Sequence, residues 1–378
     1  MSLTYLLMST ESSVQWAFIQ PIARHLREQG HSVTLCCSEE SGEAGHSFVD
    51  QLQQEGFPVF VLPMQRTISP WADLKAIITL YRYLRRHRVD VLHTQTAKAG
   101  FIGRLAAWLA RVPVVVYTAH AWPFHAYLPP WKQDGYAWLE RLAARWCQRI
   151  VVDSYAVEER GLQFKVAPAS KIRVIPLGVD TNRFAPRAVA HPLTVGCVTR
   201  LVEDKGLDLF LRTVALLRAQ FPSLRVLIVG DGPLRAHVLE LSDQLGLWPG
   251  PVLVGYSTDV PMWLAQMDVF LLPSKREGFG VAYAEAMAME VPVVALDIPP
   301  LNELIVLGTG VLVSLMEDAE GGSAWQVRAL AHAVQELLQD ADHRRALGRA
   351  ARQRVCQYFT HTRMVEAHRT LYEHLYAA

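Results

Sequence analysis

Short β-rich runs alternate with helix-length segments along most of this 378-residue chain, and that alternation leaves few folds open. Parallel strands need a crossover, usually a helix, so a repeated strand–helix unit builds a parallel sheet covered on both faces. The first unit reads as an apolar strand over 5–8 and a loop, Thr10-Glu11-Ser12-Ser13, with helix-capping residues. An amphipathic helix over 14–29 follows; Gly30 ends it and 31–37 returns as a strand. Strands continue at 58–62, 89–94, 113–118, 150–153 and 172–176, with helices at 73–88 and 99–110. The segment 178–192, holding Pro186 and Pro192, reads as a linker, after which the alternation restarts. Strands are expected at 193–199, 224–229, 251–255, 268–272, 291–296 and 310–313, with helices at 206–220, 233–245, from about 281, and from Ser323 to the end. Single cores stop growing near ~250–300 residues. The chain is therefore expected to hold two doubly wound α/β domains, 1–185 and 190–359, with a C-terminal helix at about 360–378 packing back on the first. Ligands of such sheets bind at the carboxyl ends of the strands, so a cleft between the domains would collect both sites.

One stretch of the second series carries most of the chemistry. Pro273-Ser274-Lys275-Arg276-Glu277-Gly278-Phe279-Gly280 links the strand 268–272 to an Ala/Met/Glu helix beginning near Val281. Gly278 and Gly280 let the backbone approach a ligand closely, and the free amides of the helix start suit a diphosphate. Glu277 lies on the loop and Glu285 one to two turns into the helix. Carboxylates repel phosphate, so this pair is suited to accept hydrogen bonds from hydroxyls. A nucleotide-sugar offers hydroxyls on its ribose and on its sugar.

Composition narrows the compartment and the partners. The five cysteines (Cys36, Cys37, Cys147, Cys197, Cys356) are odd in number and make no metal-like spacing, which predicts reduced thiols in a cytoplasmic protein. The apolar run 3–8 is too short for a signal-peptide core, and no apolar stretch approaches ~18–20 residues, so a soluble or peripheral protein is expected. Residues 1–185 hold 20 Lys and Arg against 15 Asp and Glu, a balance of +5 that leaves −4 for the remainder. The basic run Tyr81-Arg82-Tyr83-Leu84-Arg85-Arg86-His87-Arg88 suits an anionic membrane or a solvated helix face. The basic excess is small and no recognition motif for nucleic acid occurs.

Further motifs stand in a fixed order around the central stretch. They are Val174-Ile175-Pro176-Leu177-Gly178-Val179-Asp180, Val198-Thr199-Arg200-Leu201, Asp204-Lys205-Gly206-Leu207-Asp208, Val229-Gly230-Asp231-Gly232-Pro233-Leu234, and Val254-Gly255-Tyr256 with Asp259-Val260-Pro261. In this order, ahead of Glu277 and Glu285, they resemble glycosyltransferase family 4, and the resemblance covers nearly the whole chain. It implies the GT-B fold, a sugar donor bound in the C-terminal half, and retention at the anomeric carbon. Catalytic roles are implied for His120, Glu277, Arg200 and Lys205. Donor contacts are implied for Arg200, Lys205, Glu277, Gly278, Phe279, Gly280, Val281, Glu285, Gly230 and Tyr256. Arg200 and Lys205 would meet the diphosphate, Glu285 the ribose hydroxyls, Glu277 the sugar, and the backbone of 279–281 the phosphates.

In the N-terminal half, residues 93–104 (HTQTAKAGFIGR) resemble enzymes that build bacterial surface glycans, with Ala97-Lys98-Ala99-Gly100 where that subgroup often has Ser-Lys-Ala-Gly. Thr118-Ala119-His120 stands where the family has Thr-x-His-Gly, which places His120 beside the sugar and the leaving phosphate. The first loop departs from the family: it lacks glycine, so the hydroxyls of Thr10, Ser12 and Ser13 are the candidates for the acceptor side, with Lys98 and Trp122. Pro299-Pro300 likewise stands in a place often held by glycines. The aromatic stretch 122–131 (WPFHAYLPPW), with Tyr136 and Trp138, fits sugar stacking, a lipid interface or a buried core. No Asp-x-Asp loop or other metal-ligand set occurs, so transfer without a metal or other cofactor is expected. The sequence reading is thus a retaining hexosyltransferase. It would move a sugar from a nucleotide-sugar, expected to be a UDP-sugar, to a hydroxyl of a lipid-linked saccharide in surface polysaccharide synthesis. It would work in the cytoplasm, with peripheral contact to anionic membrane. A nucleotide-sugar 2-epimerase of the same fold and a non-catalytic nucleotide-sugar-binding subunit are the rival readings.

Overall fold

The computed structural model describes residues 2–39, 48–65, 67, 69–126, 128–247, 249–315 and 324–377. The chain forms two compact units, Met1–Leu177 with Thr362–Ala378, and Gly178–His361. Each is built on one parallel sheet.

In the first unit β1 (Thr4–Glu11) runs directly into α1 (Ser12–Val14), a π-helical turn (Gln15–Ile19) and α2 (Gln20–Glu28). Then come β2 (Ser32–Ser38), α3 (Val49–Gln54), β3 (Val59–Val61), α4 (Pro70–His87), β4 (Val91–Gln95), α5 (Ala97–Ala110), β5 (Val114–Ala119), α6 (Pro130–Ala143), β6 (Arg149–Val152), α7 (Tyr155–Gln163) and β7 (Ile172–Val174). The sheet order is β3-β2-β1-β4-β5-β6-β7, so the direction of growth reverses between β1 and β4. Tyr5, Leu6, Leu7 and Met8 are all buried, as expected of a strand covered on both faces. The loop expected at 10–13 is absent: Thr10 and Glu11 extend β1, whose pairing with β2 shifts register between Met8 and Glu11. Helices α6 and α7, which periodicity left unassigned, start at Pro130 and behind Ser154, whose hydroxyl accepts from Val157 N at 3.2 Å. Fully buried Arg104 of α5 joins this core: its Nη2 lies 2.7 Å from Glu140 Oε2 on α6 and its guanidinium 3.9 Å from the centre of the Tyr117 ring. Removing Glu140 would strand a buried charge, at about 3–5 kcal/mol.

The second unit contains β8 (Thr194–Val198), α8 (Leu207–Gln220), β9 (Arg225–Val229), α9 (Arg235–Gln244), β10 (Val252–Gly255), α10 (Val260–Leu264), β11 (Val269–Leu272), α11 (Val281–Ala288), β12 (Val293–Leu296), α12 (Leu301–Leu304), β13 (Val311–Val313), α13 (Ala324–Gln339) and α14 (Ala341–Tyr358). Its order, β10-β9-β8-β11-β12-β13, reverses between β8 and β11. Ser323, the expected helix start, lies outside the described residues. The linker expected at 178–192 begins inside this unit. Val179 N donates to Phe359 O at 2.8 Å, and Arg352 Nη1 donates to Phe184 O at 3.0 Å. A β-carbon on Gly178 would lie 2.5 Å from Thr360 O. The boundaries therefore fall at Leu177/Gly178 and His361/Thr362 rather than at 185–190 and 359. Helix α15 (His361–Ala377) lies in the first unit from Thr362 onward, where Tyr372 Oη meets His93 Nδ1 at 2.6 Å.

Candidate active site

The switch point of the second sheet brings two loops together, one after β8 and one after β11. Gly206 makes this possible: it has φ +66°, and a β-carbon there would sit 2.0 Å from Pro273 O. The loops are then joined side by side. Lys275 N donates to Asp204 O at 2.8 Å, Arg276 Nη2 lies 3.0 Å from Asp204 Oδ2, and Lys205 Nζ lies 2.8 Å from Glu277 Oε1. Lys205 and Glu277, which the resemblance gives to the diphosphate and to the transferred sugar, are bonded to each other. Arg200 is exposed at the end of β8. Beneath it, Gly230 (φ +133°) would place a β-carbon 1.8 Å from Thr199 O, and its amide donates to Gly255 O at 2.8 Å. Gly230 thus holds the backbone that carries Arg200, and Tyr256, 40% exposed, follows Gly255.

Gly280 (φ +97°) caps α11 with no side-chain hydrogen bond. The first intrahelical donors, Tyr283 N and Ala284 N, both reach Gly280 O, which leaves the Val281 and Ala282 amides pointing out of the helix start. Gly278 lies between this turn and Glu277. Phe279 is buried, its ring 5.5 Å from that of Phe359, so only its backbone is available to a ligand. Tyr283 Oη donates to Leu272 O at 2.6 Å and ties the helix to the end of β11. Glu285 is only partly exposed, and desolvation pushes its carboxyl up to about 7, against the opposing pull of Arg183.

In the first unit the strand ends gather a second group. His120 closes β5, with Nδ1 2.8 Å from Asp153 Oδ2 after β6 and Nε2 2.8 Å from Gln95 Oε1 on β4. Two orientations of the Gln95 amide fit: an imidazolium donates at both nitrogens, or the neutral Nδ1–H form accepts from the turned amide. The Phe18 ring lies 5.2 Å from the imidazole. Asp153 and Gln95 were not singled out from the sequence; the available signal was a polar residue closing each apolar strand.

The other first-unit candidates have side chains engaged in folding. Thr10 is buried; its Oγ1 meets Thr96 Oγ1 at 2.7 Å and accepts from Ala99 N at 3.2 Å. Thr96 itself has φ +70°, a strained conformation for a β-branched residue, of order 1–3 kcal/mol. Ser12 Oγ is buried and accepts from Phe48 N at 3.0 Å, while Ser13 Oγ reaches Glu11 Oε2 at 3.4 Å. Lys98 Nζ sits 2.6 and 2.7 Å from the two oxygens of Asp73. Trp122 is buried, stacked on Phe124 at 5.4 Å, and donates to Val157 O at 2.6 Å. The aromatic stretch therefore divides: Trp122 and Phe124 are core, whereas Trp131 and Trp138 on α6 are 71% and 58% exposed. Tyr127 lies outside the described residues. Among the described residues no group of three or more His, Cys, Asp or Glu could hold a metal ion.

Comparison with known proteins places this geometry. A family described as glycosyl transferase 4-like domain matches residues 15–178, and one described as glycosyl transferases group 1 matches 192–340. A UDP-Gal:alpha-D-GlcNAc-diphosphoundecaprenol alpha-1,3-galactosyltransferase from Escherichia coli is 31% identical over 314 residues, covering 79% of this chain and 80% of that protein. The capsular polysaccharide biosynthesis glycosyltransferase CapM from Staphylococcus aureus is 26% identical over 317 residues, covering 79% and 80%. The Anabaena HepE structure with UDP and glucose superposes with a TM-score of 0.81 at 22% identity, covering 98% of this chain and 99% of that one. With both halves matched in order and the two parallel sheets in place, the chain belongs to the GT-B glycosyltransferases of family 4.

Proposed function

We propose that this transferase moves a hexosyl group from a UDP-sugar to a hydroxyl of a polyprenyl-diphosphate-linked saccharide, with retention at the anomeric carbon. The observation that carries the reading is the joined pair of loops at the β8/β11 switch point. It joins Lys205 to Glu277 beside the start of α11, and in this reading the diphosphate is met by Arg200, Lys205 and the α11 amides, with Glu277 and Glu285 accepting from hydroxyls. Arg200, Lys205 and the helix start would neutralise the departing diphosphate, so no metal is required. The acceptor oxygen bonds to the anomeric carbon as the carbon–oxygen bond to the diphosphate breaks. The leaving diphosphate takes the acceptor proton on the same face. His120, oriented by Asp153 and Gln95, is the first-unit residue assigned to the transferred sugar. UDP is supported by the Escherichia coli relative and by the HepE complex, and the lipid-linked acceptor by the Escherichia coli relative. The glycosyltransferase relatives favour transfer over epimerisation or a purely binding role.

Contact with the membrane is supported by α4. Trp71, Leu74, Ile78 and Tyr81 lie on one face of it at spacings of three and four, all exposed, with Arg82, Arg85 and Arg86 beside them. Among the described residues no helix is long and apolar enough to cross a membrane. The test is thermal denaturation with UDP-, GDP-, ADP- and TDP-sugars in the presence of a chelator. A UDP-sugar should raise the midpoint more than UDP alone. A shift only with another base would overturn the UDP assignment, and a shift that needs added metal would overturn the metal-independent reading.

A further inference from the structure

The first unit contains a cavity of about 710 Å³ between the β6/β7 edge of its sheet and α15, lined in part by Arg149, Arg173, Arg363 and His374. Register places two of these guanidinium groups together. Val151 pairs with Arg173, and Arg149 stands two residues before Val151, so both arginines project from the same face of the sheet. Arg149 opens β6, whereas Asp153, which holds His120, follows its other end, four residues or about 13 Å away. The cavity is therefore distinct from the strand-end site.

Its described lining holds three arginines and one carboxylate. Glu366 is the carboxylate in the lining, and Arg369 already binds it with Nε at 3.0 Å and Nη2 at 2.5 Å. Arg149 donates from Nη1 to Ser170 O, while its Nε is buried and has no partner among the described residues. Arg173 is exposed on an edge strand. Guanidinium groups stay charged and offer paired donors that match phosphate oxygens. Arg149 and Arg173 therefore bring two guanidinium groups to one face of a concavity whose carboxylate, Glu366, is already engaged by Arg369. We propose that this cavity binds a phosphate-bearing dianion, a diphosphate or phosphomonoester, either free in solution or as the headgroup of a lipid.

Phenylglyoxal labelling of the whole protein at constant ionic strength, read arginine by arginine by mass spectrometry, tests this. Inorganic pyrophosphate, phosphatidic acid vesicles and phosphatidylcholine vesicles are the additions. Exposed Arg212 on α8 is the internal control, and Arg200 reports the proposed donor site separately. Labelling of Arg173 and Arg363 should slow at least about threefold, with Arg212 unchanged. Slowing by pyrophosphate identifies a soluble anion, and slowing only by phosphatidic acid identifies a headgroup. Arg173→Gln should remove the protection at Arg363 without altering that at Arg200. No slowing with any addition, equal slowing at Arg212, or full protection of Arg363 in Arg173→Gln would overturn the inference. Protection at Arg200 alone would leave the donor reading standing without it.

Discussion

Glu285 gives the sharpest handle on the donor site, because its raised carboxyl and its proposed task conflict. Burial raises its carboxyl from the usual 4.5 to about 7, while accepting hydrogen bonds from ribose hydroxyls requires the carboxylate. With a value near 7 the group is about 90% neutral at pH 6 and about 10% neutral at pH 8. If the donor binds only the ionised form, its Kd should fall about tenfold between these two pH values. Binding at pH 6 should also release close to one proton. Titration calorimetry in two buffers of different ionisation enthalpy measures both quantities. The ligand should be an intact UDP-sugar, since the terminal phosphate of UDP itself titrates near ~6. Glu285→Gln should bind more weakly at pH 8 and show no pH dependence. A flat wild-type profile, or the same slope in Glu285→Gln, would refute the assignment.

The same shift acts on stability with the opposite sense. The folded value lies above the unfolded 4.5, so the contribution of neutral Glu285 is whole below about 4.5 and is lost as pH rises through about 7. The difference in urea midpoint between wild type and Glu285→Gln should follow that window.

Two other substitutions separate site from scaffold. Asp153→Asn should lower kcat at least about tenfold and change its pH profile, with the donor KM within about twofold, because Asp153 orients His120 rather than binding the donor; an unchanged kcat would remove His120 from the reaction. Trp122→Ala should cost about 3–5 kcal/mol in chemical denaturation with the acceptor KM unchanged, whereas Trp131→Ala should stay within about 0.5 kcal/mol and weaken binding to anionic vesicles.

The sequence and the structure agree where the signal is local. Strand–helix alternation, Gly280 before α11, and the positions of Glu277 and Glu285 follow from neighbours within about ten residues. The misreadings share a different cause. Thr10 and Ser12 looked available because their partners, Thr96, Ala99 and Phe48, lie 36 to 89 residues away. Trp122 was grouped with Trp131 by composition, although one packs under Val157 and the other faces solvent. Gly230 was given to the donor by resemblance, yet it faces a backbone carbonyl of its own unit, Thr199 O, just as Gly206 faces Pro273 O. A glycine marks close approach without saying what approaches.

The Lys205–Glu277 contact changes how the donor site must work. Their side chains are only 14% and 12% exposed, so the pair is largely removed from water, and Arg276 is likewise engaged by Asp204. Among the residues assigned to the donor, Arg200 and Lys205 bring two positive charges and Glu277 one negative, before the partly ionised Glu285 is counted. The net of +1 is too small to hold a diphosphate by charge alone. The oriented amides of Val281 and Ala282 must supply the rest, through the partial positive charge of the helix start. Donor binding is then an exchange more than an addition. The phosphate takes donors from Lys205 while a sugar hydroxyl replaces them on Glu277, so neither largely buried charge is left alone. A bare nucleoside diphosphate brings the phosphate without the hydroxyl and completes only half of that exchange. On this argument the intact sugar nucleotide should bind more tightly than its own leaving group.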